Sequence, residues 1–508
     1  MLVRYTASAD TTIVSAYQLN LRTRGTGANT GQADVLETFS IYGRQQATSS
    51  TYQASQELSR ILVKFPIDEL SSDRTAGVLP DSGSVSFYLK LHNAPHSRTV
   101  PRGFNLVVLP VSQSWQEGEG LDLNGYKDLT KGNPGANWIK ASNTSSWGMV
   151  GGDYITSSLS IMGEQRFETG LEDLEVDISE LVEQWIAGTT PNYGVGIHLS
   201  KSFEAYWSGS AEPWNSGSVL SNTTGSKESY YTKRFFARGS QYFYKRPTIE
   251  ARWDSARRDD RGEFYFSSSL APASDNLNTL YLYNFIRGRL TDIPSIGTGL
   301  IRVSLYSGSS DNSSPSGSKL ALYDGETNMT GGHVSTGIYS CSIGIESSSI
   351  TTLYDVWHSG TIEFSTGSVD PLTFNARETT KEPVYYINIT NLANMYRSNE
   401  TARMNLFVRH KNWNPTIYTK ASEDIETTNI YSASYRIIRT LDNSEVVPYG
   451  TGSEFHTGLS YDVSGNYFDF DMKLLEPGYE YKFKFSFYDS RMNTWKEQRQ
   501  EFRFRVEN

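Results

Sequence analysis

Between Tyr479 and Phe487 every second side chain is aromatic. Tyr479, Tyr481, Phe483, Phe485 and Phe487 alternate with Glu480, Lys482, Lys484 and Ser486. A period of two puts the rings on one face of an extended chain and the polar groups on the other. Such a run fits a half-buried antiparallel strand and no helix. Weaker copies recur along the chain. Val85, Phe87, Leu89 and Leu91 alternate with Ser86, Tyr88 and Lys90, and Ile301, Val303 and Leu305 alternate too. Arg60-Ile-Leu-Val-Lys-Phe65 reads as a strand ended by Pro66, and Leu106 to Val111 as a strand buried on both faces.

One stretch breaks this period. Ile178, Leu181, Val182 and Trp185 recur at i, i+3, i+4 and i+7, the stripe of a short helix packed on a core. Asp177 and Glu180 stand at capping-box spacing at its start. Gly188 ends it and Pro191 prevents a restart. Tyr193, Val195, Ile197 and Leu199 then alternate as a strand. Trp185 belongs to the core in this reading, not to a sugar platform.

Many short strands with polar turns suit a chain that is 37% apolar and rich in Ser, Gly, Asn and Tyr. The net charge of −10, with no basic stripe, argues against a nucleic-acid surface. A single cysteine, Cys341, excludes a disulfide framework and a multi-cysteine metal site. Tyr339, Cys341 and Ile343 would share one strand face, which makes the thiol small apolar filler. The opening Met-Leu-Val-Arg-Tyr-Thr-Ala has no apolar signal core, and no apolar run reaches membrane-spanning length. Assembly in a cytoplasm is therefore expected, with no membrane partner.

The chain divides into three blocks. The first, residues 1–255, closes on Arg246-Pro-Thr-Ile-Glu-Ala-Arg-Trp253. Residues 254–262 are charged and lack apolar anchors, so they read as a linker. The second block, 263–375, carries alternating Phe264 and Phe266, a serine-rich turn at 307–318 and Trp357 as a core tryptophan. His358 reads as a strand-end histidine. The third block, 383–508, holds the aromatic run. Residues 205–232 look like an insertion, dense in Ser, Gly and Asn. They carry Tyr206, Trp207, Trp214, Tyr230 and Tyr231. Large aromatics on adaptable polar loops have the makeup of a binding surface, and these five are the candidate contact residues. The alternative is that they fold back on their own sandwich.

No nucleophile elbow, zincin helix or phosphate-cradling loop is present in the sequence. The seven histidines show no metal-ligand spacing. Glu117, Glu119 and Asp122 form an acidic group in a glycine-rich loop. Three readings stay open for it: solvated carboxylates, a Ca²⁺ loop, or the paired carboxylates of a polysaccharide-degrading enzyme. No cofactor is expected.

Three resemblances add to this. Leu475-Glu-Pro-Gly-Tyr-Glu-Tyr481 resembles the tyrosine corner of immunoglobulin-like and fibronectin type III sandwiches. The first block resembles the DNRLRE domain, a jelly-roll-like module related to carbohydrate-binding modules. The matching elements are Ala9-Asp-Thr-Thr-Ile13, Arg60 to Phe65, Val111-Ser-Gln-Ser-Trp-Gln-Glu117, Trp147 with Gly151-Gly-Asp153, Val176 to Trp185, and Arg246-Pro247. The family's Arg-rich strand is matched in part by Lys233-Arg-Phe-Phe-Ala-Arg238. The whole chain resembles virion structural proteins of large marine tailed phages, in part through Trp413-Asn-Pro-Thr-Ile-Tyr418 and Tyr435 to Ser444.

The resemblance implies an all-β chain. A jelly-roll-like sandwich with one short helix would precede two immunoglobulin-like sandwiches. It further implies a non-enzymatic virion protein, in symmetric copies on neck, tail or capsid, that contacts other virion proteins. The alternative is a glycan-binding accessory module for host-surface polysaccharide.

Overall fold

Period-two patterning becomes antiparallel sheet throughout. The chain is all-β: a jelly-roll-like sandwich followed by two immunoglobulin-like sandwiches. This computed structural model describes every residue except 47–51, 97–99, 130–134, 209–217, 309–318, 347–348, 374–382, 412–416, 418–426 and 451–453. Trp214, most of the serine-rich turn and all of Trp413 to Tyr418 but Ile417 lie outside the described residues. The chain forms two compact units, Leu2–Trp253 and Asp254–Asn508.

In the first unit, Leu2–Thr6, Thr248–Arg252, Ser86–Leu91 and Leu174–Asp177 pair in that order as a four-stranded sheet. A seven-stranded sheet runs Tyr230–Phe236, Val35–Gln46, Tyr52–Lys64, Val195–Leu199, Phe104–Pro110 and Gly163–Phe167, and Ala9–Ser15 also pairs with Tyr52–Lys64. Cross-strand register puts Ile61, Ile197 and Val108 on one face of the large sheet. Phe87, Leu89 and Leu91 are the buried side of the small one. Gly163 sits where a Cβ would run into Val176 of the small sheet, so the two sheets close on bare backbone there.

The expected helix is present as Ser179–Ala187, with Ile178, Leu181, Val182 and Trp185 buried. Gly188 ends it in the left-handed conformation at φ 72°. The capping box is not formed. Asp177 instead accepts from the Ser179 N–H at 2.8 Å and hydroxyl at 2.6 Å, and Glu180 accepts from Gln184 at 2.9 Å. A second helix, Ile67–Thr75, buries only Leu70 and so has no apolar stripe to announce it. It is tied to the first by Arg74, which grips Glu183 at 2.7 Å.

In the second unit, residues 254–262 are held by charge rather than left as a linker. Arg261 makes a two-point pair with Asp355 at 2.7 and 2.8 Å. Asp260 accepts from the Thr279 N–H at 2.6 Å and the Tyr461 hydroxyl at 2.7 Å. Lack of apolar residues misled the sequence reading here, because buried ion pairs can anchor a segment as well.

Asn278–Tyr283, Ile338–Ile343, Met329–Ser335, Ile301–Tyr306, Leu353–Ser359 and Ile362–Val369 pair in that order. Residues from both ends of this sheet share one core with Phe264, Cys341 and Trp357, so the sheet curls on itself. The Trp357 indole donates to Asp355 at 2.8 Å. His358 lies in the last strand turn, bonded to Ser304 at 2.9 Å.

The last sandwich sets Tyr385–Ile389, Thr401–His410, Gly465–Asp471 and Ser460–Asp462 against a sheet built on Glu480–Asp489. Met395–Arg397 crosses over and pairs in parallel with Phe502–Glu507. Tyr481, Phe483, Phe485 and Phe487 are all buried, as the alternation requires. The tyrosine corner is formed: the Tyr481 hydroxyl donates to the Glu476 carbonyl at 2.7 Å, beside buried Leu475.

Candidate functional site

The outer face of the large sheet carries Arg60, which pairs across the ladder with Ile13, and its neighbours Leu58 and Leu62. This face is covered by the unit's own loops. Trp115, Trp138 and Trp147 pack on Ile13, Leu58, Leu62 and Val111 in one buried cluster. Each indole N–H reaches a backbone carbonyl, that of Tyr193, Ser218 and Asn137 respectively, at 2.7 to 2.8 Å. Buried tryptophans with satisfied N–H groups are packing elements.

Arg60 lies at the centre. Its guanidinium meets the Glu204 carboxylate through two hydrogen bonds of 3.0 Å and the Gly151 carbonyl through one of 3.1 Å. The rings of Trp138 and Tyr154 each stand 5.6 Å from it. Gly196 lies under the Tyr154 ring, where any Cβ would collide. His198 is buried alongside. Its Nδ1 donates to the Leu199 carbonyl at 2.8 Å, which leaves Nε2 bare. Burial first, and the Arg60 charge second, hold its pKa well below the ordinary value, so the ring is neutral at pH 7. A fully buried ion pair with its hydrogen bonds satisfied ties the covering loops to the sheet.

The sequence-derived contact residues divide. Trp207 is buried and its backbone bridges Asn222 in both directions, at 2.8 and 3.0 Å. It belongs to the packing of its own unit and offers no contact face. Tyr230 is half-buried against Phe203 and Phe104. Tyr206 is half-buried with the Lys227 ammonium 5.1 Å from its ring. Tyr231 is 48% exposed and leans edge-on against Phe39. Trp214 lies outside the described residues. The four described residues do not make one aromatic platform: Tyr230 packs on Phe203 and Phe104, and Tyr231 on Phe39.

The acidic trio is also split. Glu117 accepts from both the Asp10 N–H and the Arg238 guanidinium at 2.8 Å. Glu119 and Asp122 are exposed. Among the described residues no group of three or more His, Cys, Asp or Glu side chains is arranged to hold a metal. Asp10 accepts from the Arg238 N–H at 2.5 Å, and burial pushes its carboxyl up to about 7. The partial match to an Arg-rich strand is structural too. Arg234 pairs with Glu37, and Lys233 holds the Gly170 and Glu172 carbonyls.

The sequence reading missed a concave site in the second unit. A cavity of about 650 Å³ is lined by Asp260, Glu263, Asp275, Tyr265, Tyr431 and Tyr461 among others. The Tyr431 hydroxyl bonds Glu263, while the Glu263 Oε2 is buried with no hydrogen-bond partner. Burial raises the pKa of Glu263 and Asp260. The signal was present as the acidic residues at 259, 260 and 263, but they had been assigned to a linker and its edge.

Neither a protein-family model nor a curated protein matches the chain. Among solved structures it is similar to the N-terminal Ig1-2 module of the Drosophila receptor protein tyrosine phosphatase DLAR. The identity is 10%, over 46% of this chain and 91% of that one, with a TM-score of 0.14. It is also similar to Salmonella alpha-2-macroglobulin reacted with methylamine, at 8% identity over 92% of this chain and 26% of that one, TM-score 0.15. A third is the BSP domain of a biofilm associated protein, at 8% identity over 98% and 90%, TM-score 0.15. At these scores the likeness carries no argument, and the architecture rests on the strand pairing itself.

Proposed function

We propose that this chain is a non-enzymatic structural protein of a tailed-phage virion, acting through protein–protein contacts on neck, tail or capsid. The observation that carries the reading is how the first unit uses its polar groups. Arg60, Glu117, Lys233 and Arg238 each fasten one part of that unit to another. Charges used in this way build a rigid module. The virion setting rests on the ordered motif elements from Ala9 to Pro247 and on the chain of β-sandwiches.

A second reading is favoured by Tyr231, whose ring is half-exposed beside polar loops. Rings of this kind can stack on sugars, which supports a glycan-binding module. Mass spectrometry of purified particles tests the first reading, with the chain expected in a fixed ratio to the major virion proteins. Its absence from particles, together with binding of the full chain on a polysaccharide array, would replace the first reading by the second.

A further inference from the structure

The strand Asn278–Tyr283 has a different kind of surface at each end. At its start lies the acidic cavity, lined by Asn276, Leu277 and Asn278 as well as the carboxylates and tyrosines. Just past its end the chain makes a small hairpin, Phe285–Ile286 paired with Arg289–Leu290. Arg287 and Gly288 form its turn with φ of 52° and 78°, the left-handed pair that a tight two-residue turn demands. Six residues of strand separate the two features by about 20 Å.

The hairpin is apolar and basic at once. Phe285 is 61% exposed and Ile286 42%. Arg287 and Arg289 are exposed, and neither makes an ion pair among the described residues. In a chain of net charge −10 this is a local inversion. The cavity is its complement. It offers tyrosine rings, exposed Leu277 and the exposed Asp275 carboxylate.

We propose that the Phe285–Leu290 hairpin of one copy docks into the Asp260–Glu263–Asp275 cavity of a second copy. The patches differ and lie at opposite ends of one strand, so each copy offers one hairpin and one cavity. Two copies exchange hairpins about a two-fold axis, or copies add head to tail into a ring or a filament. The complementary charges select the partner, and the buried Phe285 and Ile286 supply most of the affinity. This rests on the reading of a protein that works through protein contacts, and it names the partner as the chain itself.

Two charge reversals test it in the full-length protein. The R287E/R289E pair changes exposed hairpin residues, and Asp275→Lys changes an exposed cavity residue, so neither disturbs a core. Sedimentation velocity of the wild type should show concentration-dependent association beyond the monomer. Each variant alone should associate at least about tenfold more weakly. Mixed together, the variants should associate again, through the sound hairpin of the Asp275→Lys protein and the sound cavity of the R287E/R289E protein. A wild type that stays monomeric, or variants that each polymerise like the wild type, would overturn the proposal. If such a monomer still enters purified particles, only self-association fails and the virion reading stands.

Discussion

Replacing Lys233 by Met should change how stability depends on pH. Lys233 is 1% exposed. Its ammonium donates to Asn93 Oδ1 at 2.6 Å, the Glu172 carbonyl at 2.8 Å and the Gly170 carbonyl at 3.0 Å. It also lies 4.7 Å from the ring centre of Phe235 and 5.1 Å from that of Phe167. Burial lowers its pKa from 10.5 to about 8, against the opposing pull of Asp173 and Glu172. From pH 8 to 10.5 the unfolded chain therefore holds a proton that the folded protein has released. The contribution of this group is fully present above pH 10.5 and is lost as pH falls through 8. That difference in pKa corresponds to about 3 kcal/mol across the window. Met matches the volume but leaves the Gly170 and Glu172 carbonyls unpaired, at about 1 kcal/mol or more each, while Asn93 Oδ1 keeps its bond to His96 at 3.2 Å. Urea unfolding of both proteins, followed by tryptophan fluorescence at pH 7, 8.5 and 10.5, measures the difference. Lys233→Met should be less stable at every pH, and the gap should widen by about 3 kcal/mol toward pH 10.5. A gap that stays constant or narrows would refute the reasoning.

Other expectations follow from the same structure. Asp10, pushed up to about 7, binds a proton in the folded state between its ordinary pKa of 3.8 and 7, so its contribution is lost as pH rises through that window. Asp10→Asn should flatten this part of the pH–stability curve. Tyr481→Phe removes the hydrogen bond to Glu476 and should cost about 1 to 2 kcal/mol, read as a lower midpoint of the second unit's unfolding. Trp207→Ala opens a cavity in the first unit and should cost about 3 to 5 kcal/mol in thermal or urea unfolding. Burial pushes the Cys341 thiol up to about 12, so an aromatic disulfide reagent should label it only after denaturation.

Much of this fold was legible because its signals are local. The alternation from Tyr479 to Phe487 and the stripe from Ile178 to Trp185 each fix a face by spacing alone. The Leu-Pro-Gly-Tyr order encodes a turn and its bond in seven residues. What escaped has no local signature. The helix Ile67–Thr75 is held by Arg74 on Glu183, more than a hundred residues away. The segment 254–262 is held by Asp355 and Tyr461, 94 and 201 residues away from their partners. At the candidate sites, residue type was a poor guide to role. Trp207 and Glu117 have the chemistry of binding residues, yet the backbone bridge of Trp207 to Asn222 and the reach of Arg238 turn them inward. The Glu263 cavity depends on three tyrosines spread from 265 to 461, which no sequence window joins.

A reconstruction of the assembled particle, at a resolution that separates β-sandwiches, tests the central claim most directly. The account predicts repeated copies of the chain joined to neighbours through protein surfaces, with the face over Arg60 filled by its own tryptophan-bearing loops. A particle without the chain would contradict it, as would one in which that face opens to hold a polysaccharide.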